Sequence, residues 1–207
     1  MSVPKAAEGT KGERTRAAIM ATAVAAFRRD GYDRATLAGI ADELGITRSA
    51  VLHHFTSKAA LLREVVVPFI DQLDELLDRV QDLQPIPNRV RRRLLIEIVE
   101  LVADNRDVAA MVILDPSVNA HLDPDLQVGV RAARFLAITV GTEGSPLAAT
   151  RSLAALGSVV RPLAAAGEIV DLDDPVTRRL LVDCALAVLK VPLPVSPGSE
   201  LSPRSAR

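Results

Sequence analysis

The stretch "GITRSAVLHHF", Gly45 to Phe55, decides how this chain is read. It opens on a glycine and sets one arginine and two adjacent histidines around apolar positions. Just before it, in "TLAGIADEL", Leu37, Ile40, Ala41 and Leu44 recur at helical spacing and define one face. Ile46, Val51 and Phe55 complete a small core from the far side of the glycine. Ala41 is small where two helices must cross closely, and Gly45 supplies the backbone freedom of a tight turn. A helix, a short turn containing Gly and a second steep helix form a helix-turn-helix unit, whose second helix stands proud enough to enter a major groove.

With Val51 inward, Thr47, Arg48, Ser49, Leu52 and His53 point outward. Neighbouring histidines lie roughly 100° apart on a helix and cannot share a metal as an i, i+4 pair would. No carboxylate or cysteine stands beside them in sequence, so neither a metal nor an acid–base role is expected. Arg48 can donate two bonds to a guanine edge, while Thr47, Ser49 and His53 can reach bases or phosphates. A plain solvated helix face is the alternative.

Working outward, the segment before it predicts a helix from about Glu13 to Asp30, burying Ala17, Ile19, Met20, Val24 and Phe27 and stopped by Gly31. Thr36 caps the second helix and Ser57 caps a long fourth one, "KAALLREVVVPFIDQLDELLDRVQDL", in which Pro68 predicts a bend. Asn88 is expected to cap a helix to about Ala103, with a short helix following from Asp107 to Leu114. "DPSVNAHLDPD" reads as a loop, because Asp before Pro is ordinary turn chemistry. Helices near 124–140, 146–166 and 174–190 follow. The expected fold is all-α, with about nine helices and no sheet. The domains expected are a disordered basic arm (1–11), a DNA-binding head (12–58), a ligand-binding and dimerisation body (59–190) and a disordered tail (191–207).

The chain of 207 residues has a net charge of −1, which hides an asymmetry. Residues 1–63 hold ten Lys/Arg against six Asp/Glu, and 64–207 hold fifteen against twenty. A basic front suits a nucleic-acid partner. The beginning of the chain lacks the apolar stretch of a signal peptide, and charges interrupt every long apolar run, so a cytoplasmic protein without membrane partners is expected. The single cysteine, Cys184, fits a reducing compartment. No phosphate loop, nucleophile–base pair or metal spacing appears, so neither catalysis nor a cofactor or metal is expected.

"GYDRATLAGIADELGITRSAVLHHFTSKAALL" resembles the DNA-binding segment of the tetracycline-repressor (TetR) family of bacterial transcriptional regulators. The likeness runs from Arg14 to Arg63. It rests on Tyr32 after the glycine of the first helix, Thr36, "IA", "GIT", His54-Phe55 and Ser57-Lys58. The resemblance implies that Thr36, His54 and Lys58 hold phosphates, while Thr47, Arg48, Ser49 and His53 face bases or their flanking backbone. Leu52 stands where the family usually has a tyrosine, so only apolar contact is available there; Lys11, Arg14 and Arg16 could compensate.

One head makes few contacts, so a homodimer on a double-stranded operator is expected. The last two helices are apolar on more than one face, which requires more than one cover. The interface is assigned to Ala148, Ser152, Ala155, Val159, Leu181, Cys184, Ala185 and Val188. Between head and interface, a pocket for a small hydrophobic or amphipathic effector is expected. Its candidate lining is Phe69, Leu73, Leu77, Leu95, Ile98, Val102, Met111, Val112, Val130, Arg131, Phe135 and Ile138, with ordinary core packing as the competing reading. The expected function is a repressor released from a palindromic operator by that effector. The alternatives are an activator of the same fold, or an all-helical enzyme or carrier.

Overall fold

The computed structural model describes residues 10–83, 86–127 and 171–188 continuously, and positions 130, 131, 134, 135, 138, 150, 154, 155, 157, 158 and 162 between them. Among these residues the fold is all-α, with eight helical segments and no strand. They are α1 (Lys11–Asp30), α2 (Leu37–Glu43), α3 (Arg48–His54), α4 (Lys58–Asp78), α5 (Asn88–Asp104), α6 (Arg106–Leu114), α7 (Pro116–Leu126) and α8 (Pro175–Val188). The individually described positions from 130 to 162 are also helical; most of the two helices expected there lies outside the described residues, as do 1–9 and the tail.

Each early helix starts on a hydroxyl. Thr10 and Glu13 form a reciprocal capping box on α1, the Thr10 N–H donating to Glu13 at 2.6 Å and the Glu13 N–H to Thr10 Oγ1 at 3.3 Å. Thr36, Thr47 and Ser57 accept from the N–H groups of Gly39, Ala50 and Ala60 at 3.0, 3.1 and 3.0 Å. Each such cap contributes about 1 kcal/mol. Asn88 does not cap α5: it is the first helical residue, Pro87 occupies the cap position, and no side chain closes that end.

The segment expected to be a loop is α7. Asp115 supplies the missing start signal, its Oδ1 accepting from the Ser117 N–H at 2.9 Å. Pro116 then falls at the first helical position, where its absent N–H costs nothing.

Apolar side chains of both parts form one continuous core. Ile19, Ala23, Ala26 and Phe27 of α1 meet Ile40, Ala41, Val51 and Phe55, and the same cluster continues through Leu61, Leu62, Val66 and Ile70 into α5 and α6. Ala17 is exposed, so α1 buries the stripe one step further along the helix. The α4 helix runs unbroken through Pro68 and packs against α1, α5 and α6, while α8 lies on α5.

Candidate nucleic-acid interface

The turn between α2 and α3 is a complete Schellman arrangement. The Ile46 N–H donates to the Ala41 carbonyl at 3.0 Å and the Gly45 N–H to the Asp42 carbonyl at 3.1 Å, with Gly45 at φ +65°. A side chain at position 45 would strain that left-handed backbone. Val51 has no exposed surface and Phe55 is 2% exposed, which pins one face of α3 inward. Arg48, Ser49 and His53 lie on the exposed face, and Leu52 and His54 are half-buried at its margins. The Thr47 and Ser49 hydroxyls meet at 2.9 Å, so the cap of α3 and its first outward hydroxyl form one polar unit. The His53 and His54 rings stand 5.5 Å apart, edge to face.

The four predicted phosphate or base contacts nearest the helix starts divide in use. Thr36 accepts one bond within its own cap and keeps its hydroxyl proton for an outside acceptor. Thr47 and Ser49 are exposed. Lys58 is different, and the expectation that it faces phosphate does not fit its geometry. Its Nζ donates to the carbonyls of Tyr32, Asp33 and Ala35 at 2.8, 3.2 and 3.1 Å, which uses all three ammonium protons. It also lies 4.2 Å from the centre of the Tyr32 ring. Lys58 is a staple from α4 to the loop that carries the chain into α2.

Much of the basic front is likewise engaged internally. Arg16 pairs with Glu64 at 2.7 Å and covers the Phe55 ring at 4.8 Å, so it is not the spare phosphate donor expected of it. Arg29 bonds Asp30 and Glu43, which hold its guanidinium firmly charged, and Arg28 pairs with Asp107. Lys11, Arg14 and Arg48 have no ion-pair partner among the described residues.

The loop stapled by Lys58 is also gripped by the body. Asp115, between α6 and α7, accepts from the Tyr32 N–H at 3.3 Å, and the His121 ring lies 4.7 Å from that of Tyr32. Burial works to raise the Asp115 pKa but is outweighed by hydrogen bonds from the Ser117 hydroxyl and the N–H groups of Tyr32, Ser117 and Val118, leaving it below the usual carboxylate range. Sequence reading missed this clamp, because its partners are 83 residues apart.

No cluster of metal-ligating side chains occurs among the described residues. Of the expected pocket lining, Phe69, Leu77, Leu95, Ile98, Val102, Met111, Val112, Phe135 and Ile138 are buried in the core and Leu73 is half-buried. Val130 is 63% exposed, and Arg131 pairs with Asp74 at 2.7 Å rather than standing free for a ligand.

Of the expected interface, Leu181 and Ala185 point into the protomer with Val182 and Leu186, and Ala155 is buried. Their side chains are therefore off the outer surface of the protomer. Cys184 is exposed and Val188 half-buried, in line with Val176 and Leu180, which are 64% and 58% exposed. The outward stripe of α8 is therefore Val176, Leu180, Cys184 and Val188, at i, i+4 spacing. Ala148, Ser152 and Val159 lie outside the described residues.

The family description "Bacterial regulatory proteins, tetR family" matches residues 19–65, from the middle of α1 through the first turns of α4. The chain is 36% identical over 102 residues to the HTH-type transcriptional regulator TtgR of Pseudomonas putida, a match covering 46% of this chain and 47% of that protein. It is 39% identical over 61 residues to a probable acrEF/envCD operon repressor of Escherichia coli, covering 28% of each. The aligned part thus spans about half the length of the first of these relatives, or less. Among solved structures, a TetR-family transcriptional regulator from Bordetella parapertussis superposes with a TM-score of 0.67 at 21% identity, covering 86% of this chain and 95% of that one. Mycobacterium smegmatis AmtR gives a TM-score of 0.63 at 21% identity, covering 90% and 89%. These structures share the fold well beyond the head. The segment that carries the helix-turn-helix thus matches the TetR family of bacterial regulatory proteins, and the fold around it is shared with solved structures of that family.

Proposed function

We propose that the protein is a sequence-specific DNA-binding transcriptional regulator, acting as a homodimeric repressor on a palindromic operator. The observation that carries this reading is the outward face of α3, with Arg48 unpaired and Ser49 and His53 exposed on a helix locked by Val51 and the Gly45 turn. Arg48 takes the base-reading role, and Thr36, Thr47, Ser49, His53 and His54 take base or backbone contacts beside it. Lys11 and Arg14 supply phosphate charge from the start of α1. Lys58 acts as a positioning residue.

Two copies joined along Val176, Leu180, Cys184 and Val188 would present two such helices, and reading two half-sites requires about 34–36 Å between them. The repressor assignment draws on the printed name of the Escherichia coli relative. An effector held in the body would act by its differential affinity for two arrangements of the head. Two struts lead there: α4, continuous from Lys58, and α6, through Arg28–Asp107 at its start and Asp115–Tyr32 just past its end.

Duplexes selected from a random pool by the full-length protein test the reading. A palindrome with half-sites one helical turn apart is expected, bound by two chains in sedimentation. Recovery of no enriched sequence would reject it.

A further inference from the structure

We propose that the cleft between the end of α4 and the start of α5 binds a small amphiphile with an anionic head. This goes beyond the regulatory reading and does not depend on it. The cleft has a volume of about 470 Å³, within the range of small-molecule sites. Its apolar floor is Leu76 and Val80 from the α4 end and Val90 and Leu94 from α5. Its polar wall is Arg79, Arg89, Arg93 and a single acid, Glu97.

The charges do not balance. Glu97 is shared by Arg79 at 2.7 Å and Arg93 at 2.9 Å, so one carboxylate serves two guanidinium groups. Arg89 has no ion-pair or hydrogen-bond partner among the described residues. The cleft therefore carries two positive charges in excess, beside the end of α5 that its backbone dipole already makes positive. No acidic side chain lies in the first turn of α5, and no side chain caps it. Neighbouring arginines add to the crowding: Arg92 is committed to Asp183 at 3.3 Å, and Arg91 is half-buried. Three guanidinium groups around one carboxylate repel each other until an anion joins them, and the four aliphatic side chains beneath favour an anion with a hydrocarbon body over a bare one.

Calorimetry on the full-length protein with octanoate, 1-octanol and inorganic phosphate separates the contributions. Octanoate is expected to bind about tenfold or more tightly than either of the other two, since each lacks half of the recognised chemistry. Methyl NMR should place its shifts at Leu76, Val80, Val90 and Leu94. The double variant Arg89→Ala/Arg93→Ala changes two exposed side chains and should weaken octanoate about tenfold or more with its melting temperature kept, whereas Glu97→Gln, which frees two guanidinium groups, should tighten it. Equal binding of octanol or phosphate, methyl shifts elsewhere, or octanoate affinity unmoved by the double variant would overturn the proposal.

Discussion

From α1 to the start of α4, helices are set by hydroxyl caps three residues away from their partners, at Thr10, Thr36, Thr47 and Ser57. From α4 onward the ties between helices are ion pairs far apart in sequence, such as Arg79–Glu97, Arg178–Glu100 and Arg92–Asp183, separated by 18, 78 and 91 residues. The helix starts of the head are specified locally, and the helices of the body are tied by tertiary pairing. A part that must hold one helix at a fixed angle gains from short-range geometry, because caps and a left-handed glycine leave few alternatives. The body's half-exposed ion pairs contribute about 0–1 kcal/mol each and are contacts that can be exchanged at little cost.

The largest expected effect breaks the head alone. Val51→Asp buries an unpaired carboxylate at a fully buried position and should cost about 3–5 kcal/mol. Circular dichroism and hydrogen exchange should show α1 to α3 losing protection while α5 and α8 keep theirs. Equal loss throughout would mean that the continuous core couples the two parts into one unit.

Lys58→Met comes next. It removes three charge-assisted bonds, two of them part-buried, and should destabilise the head by about 1.5–3 kcal/mol. The salt dependence of DNA binding separates the staple from a phosphate contact. The slope of log K against log salt should be unchanged, whereas loss of a phosphate contact would reduce it by about 0.9. Gly45→Ala follows, at about 1 kcal/mol for a Cβ in the left-handed region, seen as a lower denaturation midpoint.

The smallest effect is a pH dependence at the joint between the two parts. The folded-state pKa of Asp115 is depressed, so its contribution is complete above the unfolded value near 3.9 and is lost as pH falls below it. Its partial exposure limits the effect to under about 1 kcal/mol. Asp115→Asn should flatten the stability profile of the head below about pH 4, measured by urea titration at stepped pH.

The same contrast explains what could be read from sequence. The Gly45 turn, the two hydroxyl caps at Thr36 and Ser57 and the inward Val51 were legible because each is decided within a few residues. The Asp115 cap was not, since Asp-Pro starts a turn and a helix with the same two residues. The family resemblance implies a phosphate role for Lys58, and its carbonyl partners 23 to 26 residues away leave no signature in side-chain pattern that would correct it. On α8 the sequence marks two apolar faces but not which turns inward. Among the described residues α5 packs against it, with Leu181 and Ala185 in the core and Leu180 turned outward.

The central claim is that the outward face of α3 reads base sequence, and Arg48→Ala tests it most directly. Titrated against a selected operator and a scrambled duplex of equal length, the variant should lose about 1–3 kcal/mol on the operator and far less on the scrambled duplex. Equal losses on both, or no loss on either, would contradict the account.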